Sequence, residues 1–258
     1  MNVVLIGSGN VAAVLGRLIK SSGHAITEVM SRNAEHAFTL AKELGAQTYT
    51  NIHHLSKDAD IYIVAVSDHA IKTVAKELIV PNGIVVHTSG AVSKNVLQHS
   101  SDHYGVLYPL QSLRKESAYV PDIPLLIDGN TPETIQFIQS FAISLSEKVH
   151  YAEDEERLKL HIAAVIVSNF TNHLYALAAE FCKKETTDFS LLTPLIKEVA
   201  ERVELYDPDS MQTGPAIRND AMTIEKHLEI LHAHPHLQKL YHDITQSIQK
   251  FHEEKREK

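Results

Sequence analysis

Gly7-Ser8-Gly9-Asn10-Val11-Ala12 follows directly on the apolar run Val3-Val4-Leu5-Ile6 and leads into a helical pattern through Leu15, Leu18 and Ile19. In a strand, turn and helix of this kind the first glycine permits the tight turn. The second lets the backbone approach a pyrophosphate with no Cβ in the way, and the alanine allows close helix–strand packing. The phosphates then rest on the free N–H groups at the helix N-terminus. Gly7, Gly9, Asn10 and Val11 are therefore candidate cofactor-binding residues for a dinucleotide. An ordinary βα turn that binds nothing has the same spacing.

A second strand expected over Ile26 to Met30 delivers Ser31-Arg32-Asn33 to its carboxyl end. NAD-binding chains carry an acidic residue about 20 positions beyond the glycines to bond the ribose 2′-OH, whereas a 2′-phosphate needs a neutral or cationic site. Ser31 and Arg32 offer a hydroxyl and a planar guanidinium, which favours NADP over NAD. Glu28 keeps NAD open if the strand register differs. In an open parallel sheet, ligands lie outside the carboxyl ends of the strands. That rule adds Val66, Ser67 and Asp68, after a strand over Asp60 to Val66, with helix capping the other role open to Asp68, and Thr88, after Gly83 to His87. Thr88 and Ser89 either reach a nicotinamide or its substrate or cap the next helix, expected to start near Ser93.

Further candidates lie in the second half. Arg157 to Glu180 reads as one long helix, apolar nearly all round at its centre, which calls for burial between other elements or in a dimer. His161, Ser168, Asn169 and Asn172 fall within about a third of its circumference at 100° per residue. Such a polar stripe needs partners, supplied by a ligand or by a second subunit. Arg218 and Asp220 follow the rigid Gly214-Pro215 turn and either bind an acidic substrate or form a structural ion pair. His232, His234 and His236 alternate, but Pro235 and helical flanks argue against a strand and no metal site is expected.

The elements that position these residues divide the chain in two. Strand and helix signals alternate to about residue 150: helix Ala34 to Leu44 with Gly45 as its C′ residue, Ser67-Asp68 capping a helix from about His69, and a helix starting near Ser93. Thr131 caps another helix with Pro132 at its first position, and a last strand lies near Glu147 to Tyr151. Beyond Glu153 the pattern is helical, including Leu191 to Leu205. The expected fold is a Rossmann-type α/β domain, a doubly wound and mostly parallel sheet over residues 1–150, followed by an all-helical domain over residues 151–258. A formal net charge of −8 with no basic block argues against nucleic acid or an anionic membrane as partner. The single Cys182 excludes an intrachain disulfide framework, and a first strand at residue 2 or 3 leaves no room for a cleavable leader. A cytoplasmic protein is expected. Apolar runs such as Ile162 to Val167 fall short of the roughly 20 residues that span a bilayer.

The segments GSGNVA, SRN, HTSGA, YPLQS, HIAAVIVSNFTNHL and TGPAIRNDAMT together resemble NADP oxidoreductases that join a Rossmann-like domain to a helical domain of unknown function. These are relatives of pyrroline-5-carboxylate reductases, β-hydroxyacid dehydrogenases and deazaflavin-dependent NADP oxidoreductases. The resemblance covers almost the whole chain. It implies NADP at Gly7, Gly9, Asn10, Val11, Ser31 and Arg32, and a cleft lined by Thr88, Ser89, His161 and Asn169. It also implies a C-terminal domain like that of 6-phosphogluconate dehydrogenase, which dimerises. The β-hydroxyacid dehydrogenases place a lysine proton donor one helical turn before the asparagine, where this chain has Val165. His161, two turns before Asn169, is the candidate substitute because imidazole gives or takes a proton near neutral pH. The expected activity is hydride transfer between NADP and a small C=O or C=N substrate. His161 serves as acid or base, Asn169 and Ser89 orient the substrate, and Arg218 anchors an acidic group. The alternative is a non-catalytic NADP(H)-binding dimer acting as a redox sensor.

Overall fold

In the computed structural model, which describes residues 1–116 and 122–256, the chain forms two compact units, Met1–Phe170 and Thr171–Lys258. The first is built on an eight-stranded sheet. Its strands are β1 (Asn2–Ile6), β2 (Ala25–Met30), β3 (Gln47–Tyr49), β4 (Ile61–Val64), β5 (Ile84–His87), β6 (Tyr104–Pro109), β7 (Leu125–Gly129) and β8 (Val149–Tyr151). Their spatial order is β3-β2-β1-β4-β5-β6-β7-β8. Neighbours from β3 to β6 are parallel, β7 runs antiparallel to β6, and β8 is parallel to β7. The 3-2-1-4-5-6 portion is the Rossmann order, with its switch point between β1 and β4.

The continuous apolar runs read as strands because both sheet faces are covered. Val3 and Leu5 of β1, with Ile63, Val86 and Leu107, face one cluster that takes in Leu15, Leu40 and Phe141. Val4 and Ile6, with Tyr62, Val64 and Val85, face the other, with Ile71 and Leu97. Adjacent residues enter opposite cores, as the two-residue strand period requires. The covering helices are α1 (Asn10–Ser21), α2 (Ala34–Leu44), α3 (Asp68–Glu77) and α4 (Pro132–Leu145).

Helix ends follow local chemistry in most places. Gly45 ends α2 in the left-handed region at φ 79°, and the Thr131 side chain accepts from the Thr134 N–H with Pro132 opening α4. Two ends differ from expectation. Ser67 stands at the N-cap of α3, as expected, but makes no side-chain capping bond, and Asp68 is already helical. The helix expected near Ser93 is only a short 3₁₀ turn, Lys94–Leu97, although Ser93 does accept from the Asn95 N–H.

After β8 the chain runs through α5 (Asp154–Ala164), a π-helical turn (Val165–Phe170) and α6 (Thr171–Lys184). The unit boundary falls between the π turn and α6, 20 residues beyond the position read from the sequence. The reason is Arg157 on α5, which is 1% exposed and ion-paired within the first unit. The change to a helical pattern marked the end of the sheet domain in the sequence, but the burial of Arg157 makes α5 part of that domain.

The second unit continues with α7 (Thr193–Leu205), α8 (Ala221–Leu231) and α9 (Pro235–Arg256). Of the two readings of the long helix, burial between other elements or in a dimer, the first does not hold at its apolar centre, where Ile162, Val167 and Phe170 are exposed at 55%, 71% and 59%. Leu191, Leu195, Val203 and Leu205 add to the apolar surface of the second unit. The run Asp154–Lys184 is also long and apolar enough, by length and composition, to cross a membrane, with a mean hydropathy of 1.3 over its most apolar window. That corrects the expectation that no segment reaches spanning length, which counted only uninterrupted apolar residues.

Candidate functional site

The carboxyl ends of β1, β2 and β4 open onto a cleft of about 650 Å³. Gly7, Gly9, Ser31, Arg32, Val66 and Ser67 all line it, so six of the proposed cofactor residues are brought together. Gly7 makes the turn possible. Its φ is +127°, and a Cβ there would lie 2.1 Å from the Ala65 carbonyl oxygen. Its N–H donates to the Met30 carbonyl at 2.8 Å, tying the turn to the end of β2. Gly9 occupies the N-cap of α1 without a side-chain capping bond, and a Cβ there would meet nothing within 4 Å. The glycine at this position therefore leaves open space in front of the helix N–H groups, where an anion is stabilised. Ser8 Oγ donates to Ser31 Oγ at 2.8 Å, joining the glycine turn to the specificity position.

Asn10 and Val11 start α1 itself. Asn10 Oδ1 accepts from the Lys115 N–H at 3.4 Å, and Arg17 Nη1 donates to the Lys115 carbonyl at 2.7 Å. The segment after β6 is thereby held on α1. Glu28 is 7% exposed and both its carboxylate oxygens accept from the Ser56 N–H. The possibility that it binds a ribose is corrected: the carboxylate holds a loop instead.

Thr88 and Ser89, at the end of β5, are buried. Ser89 Oγ accepts from the N–H groups of Ala91 and Val92, each at 3.1 Å, so its acceptor capacity closes the turn. Its own N–H donates to His87 Nδ1 at 3.2 Å. His87 is fully buried, and burial, followed by the positive field of Arg157, pushes its pKa down to about 4. It is a neutral acceptor at physiological pH.

Outside the residues that line this cleft, the end of β6 and α5 bring together a polar pair that was only partly legible in the sequence. Tyr108 Oη and His161 Nδ1 are hydrogen-bonded at 2.9 Å, with their rings edge to face at 5.8 Å. Both pack on Gly90: a Cβ there would come within 2.8 Å of His161 Cγ and Nδ1 and 2.9 Å of Tyr108 Cζ. Burial, and then the Asp68 carboxylate, hold the Tyr108 phenol above the ordinary tyrosine pKa, opposed by Arg157. The hydroxyl keeps its proton across the neutral range. Tyr108 lies near the carboxyl end of β6, and the strand-end rule that selected Val66 and Thr88 selects it too.

One helical turn before His161, Arg157 Nη2 donates to the Val92 carbonyl at 2.7 Å and to Asp154 Oδ1 at 2.6 Å. Its Nη1 lies 3.9 Å from Asp128, which is 0% exposed and accepts from Lys94 Nζ through both oxygens at 2.8 Å. Two cations and two carboxylates thus fasten α5 to β7 and to the turn after β5. They fix the height of His161 above the sheet. Sequence types alone did not indicate this group, because nothing in the pattern marks which charges are buried.

Ser168 and Asn169 lie in the π turn. Eight α-helical residues leave Asn169 about 80° from His161. A π turn rotates less per residue and brings it back toward the same line. In the second unit Asp220 caps α8, accepting from the Thr223 N–H at 3.1 Å and from Thr223 Oγ1 at 2.8 Å. Its assignment to substrate binding is corrected, since the carboxylate is committed to the helix. Arg218 is exposed. His234 Nε2 bonds Glu185 at 2.7 Å, linking the turn before α9 to the end of α6.

Sheet order, glycine turn and cleft define a Rossmann-type dinucleotide-binding protein. Residues 2–89 match the family of coenzyme F420-dependent NADP oxidoreductases, and residues 123–248 match a domain of unknown function, DUF2520. Among solved structures, a putative NADP oxidoreductase from Bacteroides fragilis is 37% identical, with a TM-score of 0.89, covering 96% of this chain and 98% of that one. A protein from Thermotoga maritima is 24% identical over 98% and 99% of the two chains, with a TM-score of 0.73. An imine reductase from Myxococcus stipitatus, solved with NADP+, shares the fold at 17% identity and a TM-score of 0.60, over 97% and 92%. No curated protein matches the chain at a significant level. The chain belongs to the NADP oxidoreductase family that joins a coenzyme F420-dependent-type NADP oxidoreductase domain to a DUF2520 domain.

Proposed function

We propose that this protein transfers a hydride between NADP and a small C=O or C=N substrate. The observation that carries the reading is the cleft that joins the Gly7–Gly9 turn to Ser31 and Arg32 on one side and to Val66 and Ser67 on the other. Pyrophosphate binds at the N-terminus of α1, and the Arg32 guanidinium pairs with the 2′-phosphate. The nicotinamide supplies the hydride. This chain's residues hold the reacting carbon and manage the proton: Thr88, Ser89 and Asn169 orient, and the Tyr108–His161 pair serves acid–base chemistry. Imine reductases with this fold favour C=N within the pair of substrate classes. Calorimetric titration with NADPH and NADH tests the cofactor assignment. Arg32→Ala is expected to weaken NADPH by about tenfold or more while leaving NADH nearly unchanged, since a charge-assisted bond contributes about 1.5–3 kcal/mol. Equal weakening of both nucleotides would remove the role given to Arg32.

The functional unit in this reading is a cytoplasmic homodimer. In the first unit exposed apolar residues run along α5 and the π turn, and exposed apolar patches mark interfaces. Buried ion pairs seat the start of the long helix in the sheet unit, which argues for a protein partner on its apolar face over a lipid one. Analytical ultracentrifugation is expected to give twice the chain mass of 28.7 kDa. A monomer at micromolar concentration would refute it.

A further inference from the structure

Resting on the reductase reading, we propose that Tyr108 is the group that hands the proton to the substrate, with His161 behind it as the relay and Gly90 as the position that lets the two meet. Three observations carry this. The hydroxyl is bonded to His161 Nδ1 at 2.9 Å, so one face of the imidazole is spent on the phenol. Tyr108 stands on β6, next to β5, whose end carries Thr88 and Ser89, and it feels the Asp68 carboxylate at the start of α3, beyond β4. The phenol thereby stands at the strand ends, the edge at which the ligand of an open parallel sheet lies. Finally, the missing Cβ at Gly90 is what admits both rings, since a methyl group there would stand inside their contact distance.

The step balances as follows. Bound NADPH would supply the hydride, which carries the electron pair of the new C–H bond. The C=N or C=O π pair moves to the heteroatom, which takes the proton from Tyr108 Oη and forms N–H or O–H. The phenolate recovers a proton from His161 Nδ1 as Nε2 takes one from water. NADPH is oxidised by two electrons, the substrate is reduced by two, and the proton comes from solvent.

The charged groups that act on Tyr108 are Asp68 on α3 and Arg157 on α5, and His87 on β5 shares both of them. His87 is already neutral at physiological pH, and Arg157 does not titrate. A histidine acting as direct donor loses its proton near pH 6.5, whereas a tyrosine donor holds it to about pH 10. The profile of kcat therefore separates the two.

The test follows NADPH oxidation by the full chain with 2-methyl-1-pyrroline and with a small aldehyde, from pH 5.5 to 9.5. Calorimetry with NADPH checks each variant for binding. The expected result is a plateau of kcat through pH 9 and a loss of about 10²–10⁴ in Tyr108→Phe with NADPH affinity unchanged. His161→Gln is expected to lose less, because water can reprotonate the phenolate slowly. Gly90→Ala is expected to lower kcat with little change in NADPH affinity. A Tyr108→Phe variant within threefold of wild type, or a kcat that falls through pH 6.5, would overturn the assignment of Tyr108 while leaving the reductase reading in place. Tight NADPH binding with no reduction of either probe would remove the reductase reading and the donor with it.

Discussion

Asp128→Ala is expected to cost about 3–5 kcal/mol of stability, the range for removing one partner of a buried ion pair. Asp128 is 0% exposed and takes Lys94 Nζ on both oxygens at 2.8 Å, with Arg157 Nη1 at 3.9 Å. It also accepts from the Gly129 N–H at 2.8 Å, so the substitution leaves a buried amide short of a partner as well. Without it, Lys94 loses its carboxylate and Arg157 keeps only Asp154 as an anionic partner, beside the Val92 carbonyl. Arg157→Met is expected to cost half as much or less. It removes a buried charge together with its desolvation penalty, fills similar volume, and leaves Asp128 paired with Lys94. Urea unfolding measures both. Equal costs for the two variants would show that the effect is lost packing and not stranded charge. Because Arg157 lies one turn from His161, the methionine variant is also the way to loosen α5 without unfolding the sheet.

Lowering the pH from 6.5 to 4 is expected to remove about 3 kcal/mol of stability through His87 alone, at about 1.4 kcal/mol for each pH unit between the two pKa values. The unfolded histidine takes up its proton near 6.5, while burial and Arg157 hold the native one at about 4. Between those values the unfolded state binds more protons, so stability rises with pH and the contribution is complete above 6.5. His87→Gln preserves an acceptor for the Ser89 N–H and is expected to flatten the slope across that window. Asp154, held below the usual carboxylate range by Ser93, Arg157 and the Lys94 N–H against the opposing effect of burial, loses its contribution only at lower pH. The two groups therefore act in separate windows. A slope between pH 6.5 and 4 that persists in His87→Gln would assign it to other groups.

The same burial that sets His87 explains what could be read ahead of the structure. Strand β1, the glycine turn and α1 are specified by neighbours in sequence: a β-branched run buried on both faces, a φ of +127° that only glycine adopts easily, and a small residue beside the strand. Gly45 and the Thr131-Pro132 pair ended and began their helices for equally local reasons. Ser31, Arg32, Val66 and Ser67 reached the cleft because a parallel sheet sends every strand end to the same edge. These features needed no knowledge of distant contacts.

Contacts distant in sequence decided the rest. Glu28 had the chemistry of a ribose ligand, yet tertiary packing placed it against the Ser56 amide. Asp220 looked like half of an anchor and became a cap, a choice made by the position where α8 starts. Tyr108 and His161 are 53 residues apart, and only the seating of α5 on the sheet brings their side chains to 2.9 Å. That seating rests on Arg157, Asp128, Lys94 and Asp154, four charges whose types were visible in the chain but whose burial was not. Local sequence determined the nucleotide-binding half because backbone conformation and strand burial are local properties. The Tyr108–His161 pair and its supporting ions belong to the tertiary structure, because desolvation is set by what the whole fold packs around a charge.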